Sequence, residues 1–440
     1  MSLVTWLPLI SNTKNQGLSN PTITEYGTFT YSAGKLGTAP TFTNHAIAIN
    51  PAPINTNTPN FSFAFWLKTT NAGATQCIYN GRTSTGGPVS IFLYQSKWRL
   101  DDGDMHPFST GAIANEWHHY AFTRDESNIK YYKDGVLMET LTSTAFTLTP
   151  KTASIGRSSA NGSTPSGNVF LGQLQDYRIY DHTLSEKEVK EISKGLVMHL
   201  PLDWSYTDSV EYADPDYDRL KIGEQYLTDC SGYLNTVTPY GSNITSCSSP
   251  RYTTGTTCGA SSCINLGKSI KLQPPFSFAF WFNTSNLESG KNRLISCTET
   301  GGWSIKGENT GLSLLMYTNS GYKYCESITP RTELVNGWHH LVGTYDGYKS
   351  QLYIDGILEN EVVHFTEYTN TKYNANNAVF LGAEATSSDT TPSVYDTPTS
   401  FSDFRFYATI LSAEDVQQVY KIPFSIDHTG KFYGISLTEV

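Results

Sequence analysis

Charge is scarce in this chain. Only 16% of its 440 residues are Asp, Glu, Lys or Arg, against ~25% in an average soluble domain, which excludes coiled coils and long solvent-exposed helices laced with ion pairs. Basic residues are the rarer kind. With 30 Lys and Arg against 40 Asp and Glu the formal net charge is -10, so the positive field that gathers nucleic acid is missing and no nucleic-acid partner is expected. No stretch reaches the ~20 apolar residues of a membrane-crossing helix, and no membrane insertion is expected. The opening MSLVTWLPLISNTKNQG lacks the basic start and extended apolar run of a secretory signal, so no signal peptide is expected. The seven cysteines, at 77, 230, 247, 258, 263, 297 and 325, are odd in number and follow no CxxC or Cys/His zinc spacing. Free thiols are the expected state; one disulfide within the Ser/Thr/Gly-rich loop of Cys247, Cys258 and Cys263 is the alternative, with Cys230 nearby in sequence.

What is abundant points to β-sheet. Aromatic residues make up 13%, through 28 Tyr, 21 Phe and 8 Trp, and aromatic side chains favour pleated, half-buried surfaces. The length would fit three domains of ~150 residues or two large sandwiches of ~200 to 250. Internal similarity decides for two. FSFAFW occurs at Phe61 to Trp66 and again at Phe276 to Trp281, and Trp117-His118-His119 returns as Trp338-His339-His340. Asp134-Gly135 returns as Asp355-Gly356, and Asp176-Tyr177-Arg178-Ile179-Tyr180 as Asp403-Phe404-Arg405-Phe406-Tyr407, all in the same order. Leu7-Pro8-Leu9 is echoed by Leu200-Pro201-Leu202. A period this long exceeds the ~20 to 50 residues of solenoid repeats, so each copy is expected to be a domain with its own core.

Local signals fill in the copies. The period-two pattern of FSFAFW reads as a strand whose small residues imply that both faces are covered. The two Asp-Gly pairs read as hairpin turns, because a type I′ turn needs two residues that tolerate positive φ. Ser185-Glu186-Lys187-Glu188 is a capping box that opens a short helix, with Gly195 as its left-handed stop, and Ser412-Ala413-Glu414-Asp415 opens its counterpart. The expected architecture is all-β: two tandem antiparallel β-sandwiches, residues 1–195 and 196–421, each closed by a short C-terminal helix. A tail, 422–440, remains. It reads as two strands turned at His428-Thr429-Gly430, with Phe424, Ile426, Phe432 and Ile435 needing cover, and is the expected assembly hairpin of a homo-oligomer.

The ordered set of FSFAFW, WHH, a strand with DG, FLG, D-x-R-[IF]-Y and LS before a final helix resembles the laminin-G-like, concanavalin-A-like jelly roll. The resemblance covers residues 1 to about 421. It implies that Trp117, Trp338, the two DG pairs and the two DxR strands hold the sandwich together and do not themselves bind ligand. The WLPL opening followed by Asn15-Gln16-Gly17 also resembles tandem copies of this domain in tailed-phage virion proteins. That implies a virion location, with other virion proteins as partners.

Chemistry candidates are few. The WHH strings invite a metal or general-base reading, but adjacent strand residues point to opposite faces and cannot clasp one ion. The glucanase pattern E-x-D-x-x-E is absent, and Glu186, Glu188 and Glu191 fall on the closing helix, which reads as a solvated polar face. Asp101, Asp102 and Asp104 form the densest acidic run and are the candidate ligands for Ca²⁺, the one cofactor considered. Beside it, Trp98 and Arg99 are candidate sugar-binding residues, as are loop Trp303 and the pair Trp204 and Tyr206, because aromatic faces stack on sugar C–H surfaces. The expected function is a non-enzymatic virion adhesion protein that binds cell-surface glycans. A purely structural virion accessory is the alternative, and a glycan-degrading enzyme comes third.

Overall fold

The structure is a computed structural model that describes residues 3–55, 58–81, 89–143, 152–159, 164–204, 227–233, 235–288, 293–308, 310–394, 397–421, 425–426 and 432–433. Two compact units emerge, one ending at Ser193 and the other starting at Lys194. Both are all-β sandwiches of antiparallel strands.

In the first unit an eight-stranded sheet runs from Val136–Thr142 through Asn128–Lys133, His118–Arg124, Phe61–Thr69, Gly172–Tyr180 and Thr38–Phe42 to Thr30–Ala33, with Leu3–Leu7 also paired to Gly172–Tyr180. The facing seven-stranded sheet runs from Met105–Pro107 through Lys97–Asp102, Val89–Tyr94, Gln76–Asn80, Ala153–Ile155 and Ala46–Asn50 to Thr22–Tyr26. The core lies between them. Phe61, Phe63 and Phe65 of FSFAFW and the following Leu67 point into it, as do Trp98 and Leu100 from the facing sheet. Each such side chain contributes about 1.5 to 3 kcal/mol of burial.

The second unit repeats the plan. Its eight-stranded sheet runs Ile244–Cys247, Gly255–Cys258, Thr399–Tyr407, Phe276–Thr284, His339–Tyr345, Lys349–Ile354, Ile357–Val363, with Leu196–Leu200 paired to Thr399–Tyr407. Its seven-stranded sheet runs Thr238–Tyr240, Cys263–Asn265, Phe380–Leu381, Arg293–Ser296, Trp303–Gly307, Leu312–Thr318, Gly321–Glu326.

The small residues of FSFAFW do what their size allows. Ser62 Oγ donates to the carbonyl of His182 at 2.8 Å and accepts from the Leu184 N–H at 2.8 Å; Ser277 repeats both bonds with Thr409 and Leu411. The segment before each closing helix is thereby stitched onto the outer face of the eight-stranded sheet. The helices are Glu186–Ser193 and Ala413–Lys421. Ser185 and Glu188 cap the first reciprocally at 2.7 and 3.3 Å, and Ser412 and Asp415 the second at 3.1 and 3.2 Å. Asp134 and Gly135 have φ of 49° and 79°, and Asp355 and Gly356 of 50° and 79°, the pair of positive values a type I′ turn requires. In the tail, Ser425–Ile426 pairs antiparallel with Phe432–Tyr433; its turn residues, Phe424 and Ile435 lie outside the described residues. None of the seven cysteines, all of them among the described residues, is in a disulfide.

Candidate functional site

The duplicated motifs converge on the outer face of each eight-stranded sheet. Asp176 and Asp403 sit at a bulge with φ of 52° and 53°, and their carboxylates are buried. Asp176 accepts from Trp6 Nε1 at 2.6 Å and Arg178 Nε at 2.8 Å. Asp403 is bonded by Arg405 at 2.8 and 2.9 Å, by His199 at 3.0 Å and by Tyr252 at 3.2 Å. Trp6 and His199 are the residues just before the two LPL strings, so one scaffold position serves both carboxylates. Burial would raise the pKa of Asp403, but the Arg405 guanidinium and the His199 contact hold it far below the usual carboxylate range.

The WHH strings are tied to the DG turns. Asp134 accepts from the His119 N–H at 2.9 Å and contacts His118 Nδ1 at 2.7 Å; Asp355 does the same with His340 at 2.7 Å and His339 at 2.8 Å. The two histidines of each pair face opposite ways, as adjacent strand residues must. The buried member, however, faces away from the sandwich interior: His119 lies against Trp66 at 5.4 Å, and His340 against Trp281 and the helix residue Tyr420 at 5.2 and 5.6 Å. Neither ring nitrogen of His119 or His340 has a hydrogen-bond partner among the described residues. Burial pushes their pKa values down to about 4 and about 3. The unfolded chain therefore binds these protons first as pH falls below ~6.5, and stability declines from there until the folded rings protonate. Urea midpoints are expected to fall between pH 7 and 5, with a shallower fall in His119→Phe; equal slopes would refute the assignment.

The acidic run does not form a metal cage. Asp101 and Asp102 are consecutive strand residues on opposite faces. Asp101 faces outward and pairs with Arg99 at 2.9 and 3.0 Å, while Asp102 is buried with Arg124 at 2.6 Å, Ser143 at 2.7 Å and His106 at 2.9 Å. Asp104 is exposed on the turn. Among the described residues no three His, Cys, Asp or Glu side chains are grouped to hold a metal ion. The Ca²⁺ expectation at Asp101, Asp102 and Asp104 is corrected accordingly.

Two of the expected sugar platforms are core residues. Trp98 is fully buried, edge-on to Tyr120 at 4.9 Å and Phe122 at 5.2 Å. Trp303 opens a strand, is not on a loop, and stacks on Phe278 at 4.6 Å and 13°. Neither can present a face to a ligand. Trp204 is half-buried, its Nε1 donating to Thr256 Oγ1 at 3.0 Å. Tyr206 lies outside the described residues.

Arg99 does face outward, and it leads to the surface the motifs missed. On the outer face of the first seven-stranded sheet its guanidinium lies over both Phe92 and Tyr94, 5.1 Å from each ring. On the outer face of the second, Tyr317 meets Tyr322 at 4.6 Å and 60°, and Tyr324 follows two residues on. Tyr322 and Tyr324 are each 43% exposed. Lys306 lies 5.4 Å from the Tyr324 ring and Lys372 5.6 Å from the Tyr317 ring. The signal was present in the sequence: Tyr322-Lys323-Tyr324 puts two tyrosines on one face of a strand.

The laminin G profile of the concanavalin A-like lectin/glucanases superfamily matches residues 42–190 and 259–417. The chain belongs to that superfamily. Among curated proteins it is similar to usherin of Rattus norvegicus, 26% identical over 156 residues that make up 32% of this chain and 3% of usherin. The match thus spans a small fraction of that relative. Among solved structures, domain 4 of an extracellular arabinanase of Geobacillus stearothermophilus is 19% identical, covers 43% of this chain and 97% of its own, and has a TM-score of 0.36. The binding domain of Paraclostridial Mosquitocidal Protein 1 is 14% identical, with coverages of 84% and 91% and a TM-score of 0.39.

Proposed function

We propose that this superfamily member is a non-enzymatic glycan-binding protein whose ligand stacks on the outward aromatic face of a seven-stranded sheet. The observation that carries the reading is the group of Tyr317, Tyr322 and Tyr324, solvent-facing rings on a strand surface with lysines at its margin. Pyranose rings present flat C–H faces to aromatic planes, and flanking charged groups engage the hydroxyls. A hydrolase would need one acid free to hold a proton and another free to attack or to activate water. Three carboxylates near these faces are instead held by bases, Asp101 by Arg99, Glu308 by Lys306 and Glu384 by Arg293, while Glu326 on the tyrosine strand accepts from the Thr310 hydroxyl.

The setting we propose is the virion of a tailed phage, with the chain exposed as a homo-oligomer so that weak sites gain by repetition. Support for the setting is the resemblance of the tandem organisation and WLPL opening to such proteins.

The test is a glycan array probed with the full chain and with purified particles in which mass spectrometry detects it. Tyr322→Ala combined with Tyr324→Ala is expected to weaken the strongest signal about tenfold or more, on ~1 kcal/mol per stacked ring. The exposed positions should leave the unfolding midpoint nearly unchanged. An undiminished signal would remove the tyrosine face from the account, and silence across the array would favour the purely structural role.

A further inference from the structure

Away from the sheet faces, the loops of the second unit carry another pair of exposed aromatic rings. Tyr348 lies on the turn between His339–Tyr345 and Lys349–Ile354, and Tyr368 in the loop that follows Ile357–Val363. They are 42% and 47% exposed and meet edge to face, with centroids 5.9 Å apart and planes at 72°. Together they form a nearly right-angled corner open to solvent.

The backbone holds this corner in place. Asp346 Oδ1 accepts from the N–H groups of Tyr348 and Lys349 at 2.7 and 2.8 Å, and the Tyr348 carbonyl accepts from those of His364 and Phe365 at 2.8 and 3.1 Å. Thr369 is fixed at both ends: its N–H donates to the Gly347 carbonyl at 2.8 Å, and its carbonyl accepts from the Tyr345 hydroxyl at 2.8 Å. The Tyr368 hydroxyl donates to the Pro274 carbonyl. Gly347, with φ of 98°, lies against the Tyr368 ring so closely that a Cβ would stand 2.6 Å from it. In the first unit the matching turn is built the same way, Asp125 Oδ1 accepting from Ser127 and Asn128 at 2.8 and 2.7 Å. There Glu126 stands for Gly347 and Ser127 for Tyr348. The glycine that admits one ring and the tyrosine that supplies the other occur together in the second copy alone.

Charge around the corner selects the ligand. On the sheet faces, Tyr94, Tyr317 and Tyr324 have the protein's own cations beside them, Arg99 at 5.1 Å, Lys372 at 5.6 Å and Lys306 at 5.4 Å. Among the described residues no Lys or Arg lies over Tyr348 or Tyr368. The neighbouring lysines are engaged elsewhere, Lys349 with Glu361 at 2.8 Å and Lys323 over Phe365 at 5.2 Å. The groups that flank the two rings in the chain are acidic: Asp346 at the turn, and Glu367, which is exposed and has no ion pair among the described residues. Aromatic faces attract cations through the ring quadrupole, and nearby carboxylates add to that attraction.

We infer that the Tyr348–Tyr368 corner is a binding site for an alkylammonium group of the choline type. It is separate from the tyrosine face of the sheet and stands whether or not that face binds glycan.

The experiment is saturation-transfer NMR on the full chain with choline and with its uncharged isostere, in which carbon replaces the ammonium nitrogen. Choline should bind, and the isostere about fivefold more weakly or worse. Tyr348→Ala should weaken choline about fivefold without moving the second unit's unfolding midpoint, while Tyr368→Phe, which gives up the hydroxyl bond but keeps the ring, should bind as wild type does. Tyr322→Ala combined with Tyr324→Ala should leave choline affinity unchanged, which tells failure of the sheet-face reading apart from failure of this one. An isostere that binds as tightly as choline, an affinity unaltered by Tyr348→Ala, or no binding of choline overturns the inference. Phosphocholine-conjugated glycan beads and phosphatidylcholine vesicles then distinguish the two sources of the headgroup: retention of wild type but not of Tyr348→Ala by either one supports the inference and names the source, and retention by neither overturns it.

Discussion

Asp403→Ala should unfold the second unit's sandwich far below the wild-type denaturant midpoint, at a cost of about 3 to 5 kcal/mol, because it leaves a buried cation without its anion. Arg405 is almost fully enclosed and cannot shed its proton, so no change of ionisation relieves it. His199 and Tyr252 lose their acceptor at the same stroke. The wild-type contribution has a defined pH range. The folded pKa of Asp403 lies far below its unfolded value near ~3.9, so its stabilisation is fully present above that value and is lost only as pH falls toward the folded one. At neutral pH the whole penalty should therefore be visible. Two unfolding transitions, one per unit, are the readout, and only the second should move. Asp403→Leu with Arg405→Met, which removes both charges, should recover much of the loss; a double variant as unstable as the sum of its parts would show that the pair is not the cause.

That pair also marks the limit of what the chain discloses before it is folded. FSFAFW, the DG turns and the capping boxes are legible because their causes lie within a few residues: alternation, positive φ, and a hydroxyl three residues from a carboxylate. The DxR motif could be seen as duplicated, but its partners Trp6 and His199 are 170 and 204 residues away from Asp176 and Asp403, and only the fold brings them together. Trp98 is a different case. In Lys97-Trp98-Arg99-Leu100-Asp101 the apolar and charged residues alternate, so the rule that reads FSFAFW as a strand already puts Trp98 and Leu100 on the core side and Arg99 and Asp101 on the other. Treating Trp98 and Arg99 as one platform overlooked this. The tyrosine face was missed for a related reason, since alternation groups Tyr322 with Tyr324 but does not show that their side is the uncovered one.

Trp303→Ala is the second substitution expected to have a large effect, and it separates packing from recognition. The indole is fully buried, stacked on Phe278 and lying 5.9 Å from Phe276 and 5.8 Å from Phe406, centroid to centroid. Truncating it removes its burial and opens a cavity between rigid aromatic walls, which costs about 3 to 5 kcal/mol for a core Trp or Phe. Leu314, Ile305 and the phenylalanines of FSFAFW cannot collapse into that space without breaking the strand registers that hold them. Any glycan binding would vanish in this variant too, but for a different reason: the second unit's transition should shift to much lower denaturant, while the first unit's stays put. Tyr322→Ala should show the reverse, weaker binding on an intact fold. Trp303→Phe, which keeps a ring against Phe278, should fall between alanine and wild type in stability and bind as wild type does. A Trp303→Ala protein with a wild-type unfolding midpoint and no glycan binding would mean that the indole contacts ligand after all, and the placement of the site on the tyrosine face would have to be abandoned.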